Sequence, residues 1–229
     1  MHTELTPIYL NKPPILISQC LLGDPVRYDG AHKQHSIIVQ HLLPMVKSHP
    51  LCPEIAAGMG VPRPAIRRQL EAQNIGIALA DSGTAIANRL IATSQQMAAS
   101  APAKHAIGAI LKARSPSCGI ETSPLFDRQG QIISIGNGVF AQALKERYPA
   151  LLMIDEEQLA SENSCLQFLR LCQLTMAWQQ GILPDHWRSH LNSAQALHQK
   201  PNLGLQELAL KLGRVAGLHY LEPLPFRDC

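Results

Sequence analysis

Three cysteines carry the chemistry open to this chain. Cys20 follows the apolar run Ile15-Leu16-Ile17-Ser18 and leads into Leu21-Leu22-Gly23. Cys52 stands in Leu51-Cys52-Pro53-Glu54. Cys118 ends Lys112-Ala113-Arg114-Ser115-Pro116-Ser117-Cys118-Gly119, directly after the apolar residues 107–111. An apolar strand that ends in a polar or Gly/Pro loop places the loop at the carboxyl edge of a sheet, where open α/β sheets bind ligands. Far apart in sequence, the three thiols can meet only through the fold. Together they suit a metal ion or an iron–sulfur cluster with one position left open. Taken singly, each reads more readily as a small buried hydrophobe. Arg27, Arg63, Lys112 and Arg114 favour thiolates if they point inward. Pointing outward, they are solvated surface.

Other groups with chemical potential cluster around the same loops. Glu54, two residues after Cys52, sits where a carboxylate can move protons between water and a substrate; its plain alternative is a first-turn helix residue. Ser115 can orient a substrate or assist proton transfer, or simply serve the turn before Pro116. Asp29, in Arg27-Tyr28-Asp29-Gly30, can accept from a ring N–H or fix a cationic neighbour, while an Asp-Gly turn is the ordinary reading. Gly136-Asn137-Gly138 before a helix can present backbone N–H groups to a carbonyl or anion, or be a turn. His32, His35 and His41 read as surface or satisfied core residues. Cys165 and Cys172 share a helical face and read as core; Cys229 is terminal.

These blocks taken in order resemble the thiouracil desulfidase family, formerly a domain of unknown function. The resemblance rests on Cys20-Leu21-Leu22-Gly23, Arg27-Tyr28-Asp29-Gly30, Cys52-Pro53-Glu54, Val61-Pro62-Arg63, Lys112 to Gly119, and Gly136-Asn137-Gly138-Val139. Six blocks in one order are far more specific than any single motif. The resemblance implies a [4Fe-4S] cluster on Cys20, Cys52 and Cys118, with its fourth iron free to take sulfur from a thiolated pyrimidine. It implies that Glu54 and Ser115 are catalytic, and that Asp29, Gly136, Asn137 and Gly138 bind substrate. The implied reaction is non-redox: a 2-thiouracil-like compound becomes the oxo compound and hydrogen sulfide leaves. Two alternatives stay open: a desulfidase acting on thiouridine in tRNA, and a non-catalytic cluster- or metal-binding sensor. The small substrate is favoured over tRNA because the C-terminal segment is not obviously basic or aromatic.

The elements that position these loops read as α/β. Of 229 residues, 46% are hydrophobic and only 4% aromatic, so the core must be built from Leu, Ile, Ala and Val. Strands are expected at 15–18, 103–111 and 151–154, and helices at 35–47 with a break near Pro44, from Thr84 to about 100, and at 139–147. A hairpin is expected around residues 127–130. This alternation predicts a three-layer sandwich with a mostly parallel sheet. Residues 1–160 read as a desulfidase-like iron–sulfur domain. Residues 161–229 read as a helical C-terminal extension, with helices beginning near Leu166 and over 203–217, whose apolar faces need the core or a second subunit as partner. Oligomeric state is not legible.

A net charge of +3 is too weak to imply a nucleic-acid partner. Six cysteines with no CxxC argue against a disulfide scaffold, a zinc ribbon or a thioredoxin-like site. The N-terminus does not read as a signal peptide, and no run reaches the roughly 20 apolar residues of a membrane span. Free thiolates suit a reducing cytoplasm.

Overall fold

The computed structural model describes residues 12–86 and 89–180. Its centre is a parallel sheet in the order β2-β1-β5-β8, formed by β1 (Pro14–Ser18), β2 (Lys47–Leu51), β5 (Gly108–Leu111) and β8 (Leu152–Asp155). Ile15 of β1 lies opposite Ser48 on one side and Gly108 on the other, and Gly108 opposite Leu152. Such a sheet is covered on both faces, so β1 and β5 are short continuous apolar runs rather than alternating ones.

Period-two alternation then sorts their side chains. Ile15, Ile17, Ile110, Leu152 and Ile154 join one core cluster, with Phe168, Leu169 and Leu171 of α5 (Glu162–Gln179) and Ile38 and Leu42. Leu16, Ala109 and Leu111 join the other. Its partners are Ala98 of α2 (Arg89–Ala98), Ala103 of α3 (Ala101–His105), and Phe140 and Leu144 of α4 (Val139–Arg147). The result is the expected three-layer arrangement.

A second, mixed sheet adds to it, in the order β4-β3-β6-β7. The hairpin β3 (Ile66–Glu71) and β4 (Asn74–Leu79) joins the hairpin β6 (Ser123–Phe126) and β7 (Ile132–Gly136) through a parallel β3–β6 pairing. The β6–β7 turn falls where Asp127-Arg128-Gln129-Gly130 predicts it.

Helix α5 is an integral layer. Phe168 and Cys172 pack so closely on Gly108 that a Cβ there would lie 3.0 Å from Phe168 Cζ and 3.1 Å from Cys172 Sγ. Of the two partners its apolar stripe allows, the core is the one it takes. The helix expected over 203–217 and Cys229 lie outside the described residues.

Three local expectations are corrected. Residues 103–111 are not one strand: α3 runs to His105 and β5 starts at Gly108. Pro102 suits the first turn of a helix, and a short apolar run alone does not distinguish helix from strand. Thr84 is not a helix cap; its neighbour Ala85 bridges Ala78, and α2 begins at Arg89. The helix expected over 35–47 is a wide-turned segment, Ile38–Leu42, followed by a tight turn, Leu43–Met45. Pro44 has no N–H to continue a regular helix. Among the described residues no helix is long and apolar enough to cross a membrane.

Candidate active site

The three cysteine loops leave the carboxyl ends of β1, β2 and β5, adjacent strands of the parallel sheet. Cys20 lies in a tight turn, Gln19–Leu22, that closes on Gly23 at φ 105, a left-handed conformation that glycine adopts without penalty. The chain beyond is drawn back by Lys33 N–H donating to the Cys20 carbonyl at 2.9 Å and His35 N–H to that of Leu21 at 2.9 Å. Cys52 precedes the single turn α1 (Pro53–Ala56), with proline at the first helical position. Its carbonyl accepts from Ala56 N–H at 2.9 Å.

The Cys118 turn is organised by Ser115. Its hydroxyl oxygen accepts from the N–H groups of Ser117 at 3.2 Å and Cys118 at 3.1 Å. The start of α4 packs directly against this turn. Val139 N–H donates to the Pro116 carbonyl at 3.0 Å, and Phe140 N–H to that of Ser117 at 2.8 Å. The free N–H groups of the helix are thereby satisfied by the cysteine loop.

All three cysteines line one cavity of about 390 Å³. Ser18, Arg27, Tyr28, Lys33, Glu54, Arg63, Lys112, Arg114 and Ser115 also line it. Burial pushes the Cys20 thiol up to about 11, reinforced by nearby Cys52 and opposed by Lys112 and Arg27. Burial raises Cys118 as well, opposed chiefly by a hydrogen bond from the Ser18 side chain, and it raises Cys52. Among the described residues no three His, Cys, Asp or Glu side chains are placed to grip a single metal ion.

Glu54 is held at both oxygens. Arg63 Nε donates to Oε2 at 2.8 Å, and Ser117 Oγ to Oε1 at 2.9 Å. Lys112 pairs with the buried carboxylate of Glu156, which also accepts from Ala113 N–H at 2.6 Å. Arg114 pairs with Glu157 at the surface. The end of β8 thus grips the start of the Cys118 loop.

The remaining sequence candidates stand outside the cavity. Asp29 is exposed; it pairs with Arg27 at 3.2 Å and accepts from Ala31 N–H at 3.1 Å. The hydrogen bond from Arg27 holds its carboxyl below the usual range. Asp29 therefore fixes a cation, since Arg27 and Tyr28, not Asp29, line the cavity. Gly136, Asn137 and Gly138 are not lining residues either. Gly136 approaches Arg68. Asn137 Oδ1 accepts from Glu121 N–H at 2.9 Å. Gly138 abuts the Cys118 turn. Cys165 and Cys172 lie in the core on α5, and His32, His35 and His41 line no part of the cavity.

Ser18, Ser117 and Glu156 were not legible as site residues. Ser117 adjoins Cys118 and Ser18 lies two residues before Cys20, and that nearness is the only signal the sequence carries for them. Glu156 gave no sequence signal; only the β5–β8 pairing brings it to Lys112.

The chain is similar to a solved "[4Fe-4S]-dependent thiouracil desulfidase TudS" at 29% identity, with a TM-score of 0.54. The match covers 68% of this chain and 98% of that one. No curated protein matches. Residues 15–157, which contain all three cysteine loops, match the model of a family described as 2-thiouracil desulfurase, and the chain belongs to that family.

Proposed function

We propose that this protein is an iron–sulfur-dependent, non-redox desulfidase that converts a thiolated pyrimidine of the 2-thiouracil type to the oxo compound and releases hydrogen sulfide. The observation that carries this reading is the convergence of three thiols from three loops on one cavity that also contains Glu54 and Ser115.

The donor set fits a [4Fe-4S] cluster. Three soft sulfur ligands from three separate loops border one cavity. Cys20, Cys52 and Cys118 would hold the cluster, releasing their protons as they bind. Bound there, the cluster supplies an iron with an open position for the sulfur of the substrate.

The chain's own residues do the rest. Glu54 reaches the cavity with its carboxylate fixed in one orientation by Arg63 and Ser117. A carboxylate has about four acceptor sites, so it can still take a proton from attacking water. Ser115 accepts from two N–H groups, which leaves its single hydrogen to donate to the substrate. Tyr28 offers an aromatic face at the cavity and Arg27 a cation that Asp29 orients. The substrate-binding role expected of Asp29 passes to those two residues. Gly138 supports the Cys118 turn, while Asn137 fixes the Glu121 N–H just beyond it. In balance, C=S and water give C=O and hydrogen sulfide, and no electron is consumed.

Thiouridine in tRNA is the second reading, favoured by the cations Arg27, Lys33 and Arg114 around the cavity. Anaerobically reconstituted protein offered 2-thiouracil, 4-thiouracil, their nucleosides and thiolated tRNA, with sulfide as readout, separates the two.

A further inference from the structure

Arg63 is buried, with 8% of its surface exposed. Its guanidinium contacts the loops of Cys20 and Cys52 directly and is tied to the Cys118 loop through Glu54. Nε and Nη2 both meet Glu54 Oε2, at 2.8 and 2.7 Å, two residues beyond Cys52. Nη2 also donates to the Val26 carbonyl at 3.0 Å, in the loop that follows Cys20. The other oxygen of Glu54 accepts from Ser117 Oγ, the neighbour of Cys118. Nη1 donates to the Gly60 carbonyl at 2.7 Å and so anchors the group to its own loop. The backbone repeats the tie, since Arg63 N–H donates to the Tyr28 carbonyl at 2.9 Å.

We propose that Arg63, acting with Ser117 through Glu54, is the positioning residue that holds the Cys20, Cys52 and Cys118 loops in register to receive and retain the cluster. The inference rests on the assignment of those three cysteines as ligands. Three ligands on separate loops hold a metal group tightly only if their supports are fixed beforehand. Arginine suits the task because its planar fork makes several hydrogen bonds in fixed directions; lysine is a point charge that cannot span the same partners. Glu54 therefore has two duties, as the central acceptor of the strap and as the group that moves protons.

The test follows iron retention. Wild-type holoprotein, Arg63→Lys, Ser117→Ala, Ser117→Thr and Leu169→Ala are prepared anaerobically and mixed with an iron chelator. Loss of the visible absorbance of the cluster is timed, with far-ultraviolet circular dichroism as the check on fold. Leu169 is buried on α5, which lines no part of the cavity, and serves as the control for general loosening. Arg63→Lys and Ser117→Ala are expected to release iron about 10- to 100-fold faster than wild type, the usual scale for a lost supporting contact. Ser117→Thr, which keeps the hydroxyl, restores slow release, and Leu169→Ala stays close to wild type. Release at the wild-type rate from both Arg63→Lys and Ser117→Ala overturns the proposal, as does equally fast release from Leu169→Ala. Iron retention as expected, without sulfide from any thiopyrimidine, would refute the desulfidase reading and leave this one standing.

Discussion

A Cβ placed on Gly138 would lie 2.5 Å from the carbonyl carbon of Ser117 and 2.8 Å from the Cys118 amide nitrogen. Real Cβ atoms do not approach so near, and the obstacle is backbone, not a flexible side chain. The glycine before α4 is thus the condition for the helix to sit on the Cys118 turn. Gly138→Ala is expected to destabilise the protein by about 1–3 kcal/mol, the ordinary cost of overpacking, and to lower iron uptake. Urea denaturation and iron analysis check both. Wild-type stability would mean that the turn moves freely away from α4.

Glu54→Gln is expected to keep the cluster and lose most turnover. Glutamine preserves the shape and both ties, its carbonyl oxygen accepting from Arg63 and its NH2 donating to the Ser117 hydroxyl oxygen, but it cannot exchange a proton as a carboxylate does. General acid–base groups contribute on the order of 100- to 10,000-fold in rate. Sulfide release measured at matched iron content reads the loss. Near-wild-type turnover would remove Glu54 from proton transfer.

Much of this site was legible from residue order. Strand β1, the loop positions of Cys20, Cys52 and Cys118, the β6–β7 turn and helix α4 all follow from short apolar runs punctuated by Gly and Pro. The β3–β4 hairpin did not. Its strand Ile66-Arg67-Arg68-Gln69-Leu70-Glu71 is mostly polar, and it forms because Arg68 and Gln69 pair with Leu125 and Phe126, far along the chain. Nor did the placement of α5, since an apolar helical stripe does not say which surface will cover it. Gly136-Asn137-Gly138 invites a ligand-binding reading because glycine permits close backbone approach. The group that approaches Gly138 is the Cys118 turn itself, a tertiary contact with no local signal.

Alkaline pH is expected to destabilise the metal-free protein. Burial raises the thiol of Cys20 to about 11, and burial with Glu162 nearby raises that of Cys165 to about 11, from an ordinary value of 9.0. The folded state therefore holds its thiol protons more tightly than the unfolded chain does. That stabilising contribution is complete below about pH 9 and is lost as pH rises through 11. Denaturant midpoints measured from pH 8 to 11 should fall over the upper part of that range. A flat profile would show that these thiols are not buried as described.

Cysteine variants test the ligand set. Alanine at Cys20, Cys52 or Cys118 is expected to abolish anaerobic cluster formation, while alanine at Cys165, Cys172 or Cys229 leaves about four iron atoms per chain, the content of one [4Fe-4S] cluster. Cys165 and Cys172 are enclosed by apolar side chains on α5 and line no part of the cavity. Loss of iron in either α5 variant, with the fold retained, would move the site.

Sulfide release from 2-thiouracil by anaerobically reconstituted protein, with no reductant or oxidant added, tests the desulfidase assignment. One sulfide and one uracil are expected per thiouracil consumed, over many turnovers, and neither from protein with Cys52→Ala. A protein that carries its full cluster yet yields no sulfide from thiouracil or any other thiolated pyrimidine, or that does so only when electrons are supplied, would contradict the account.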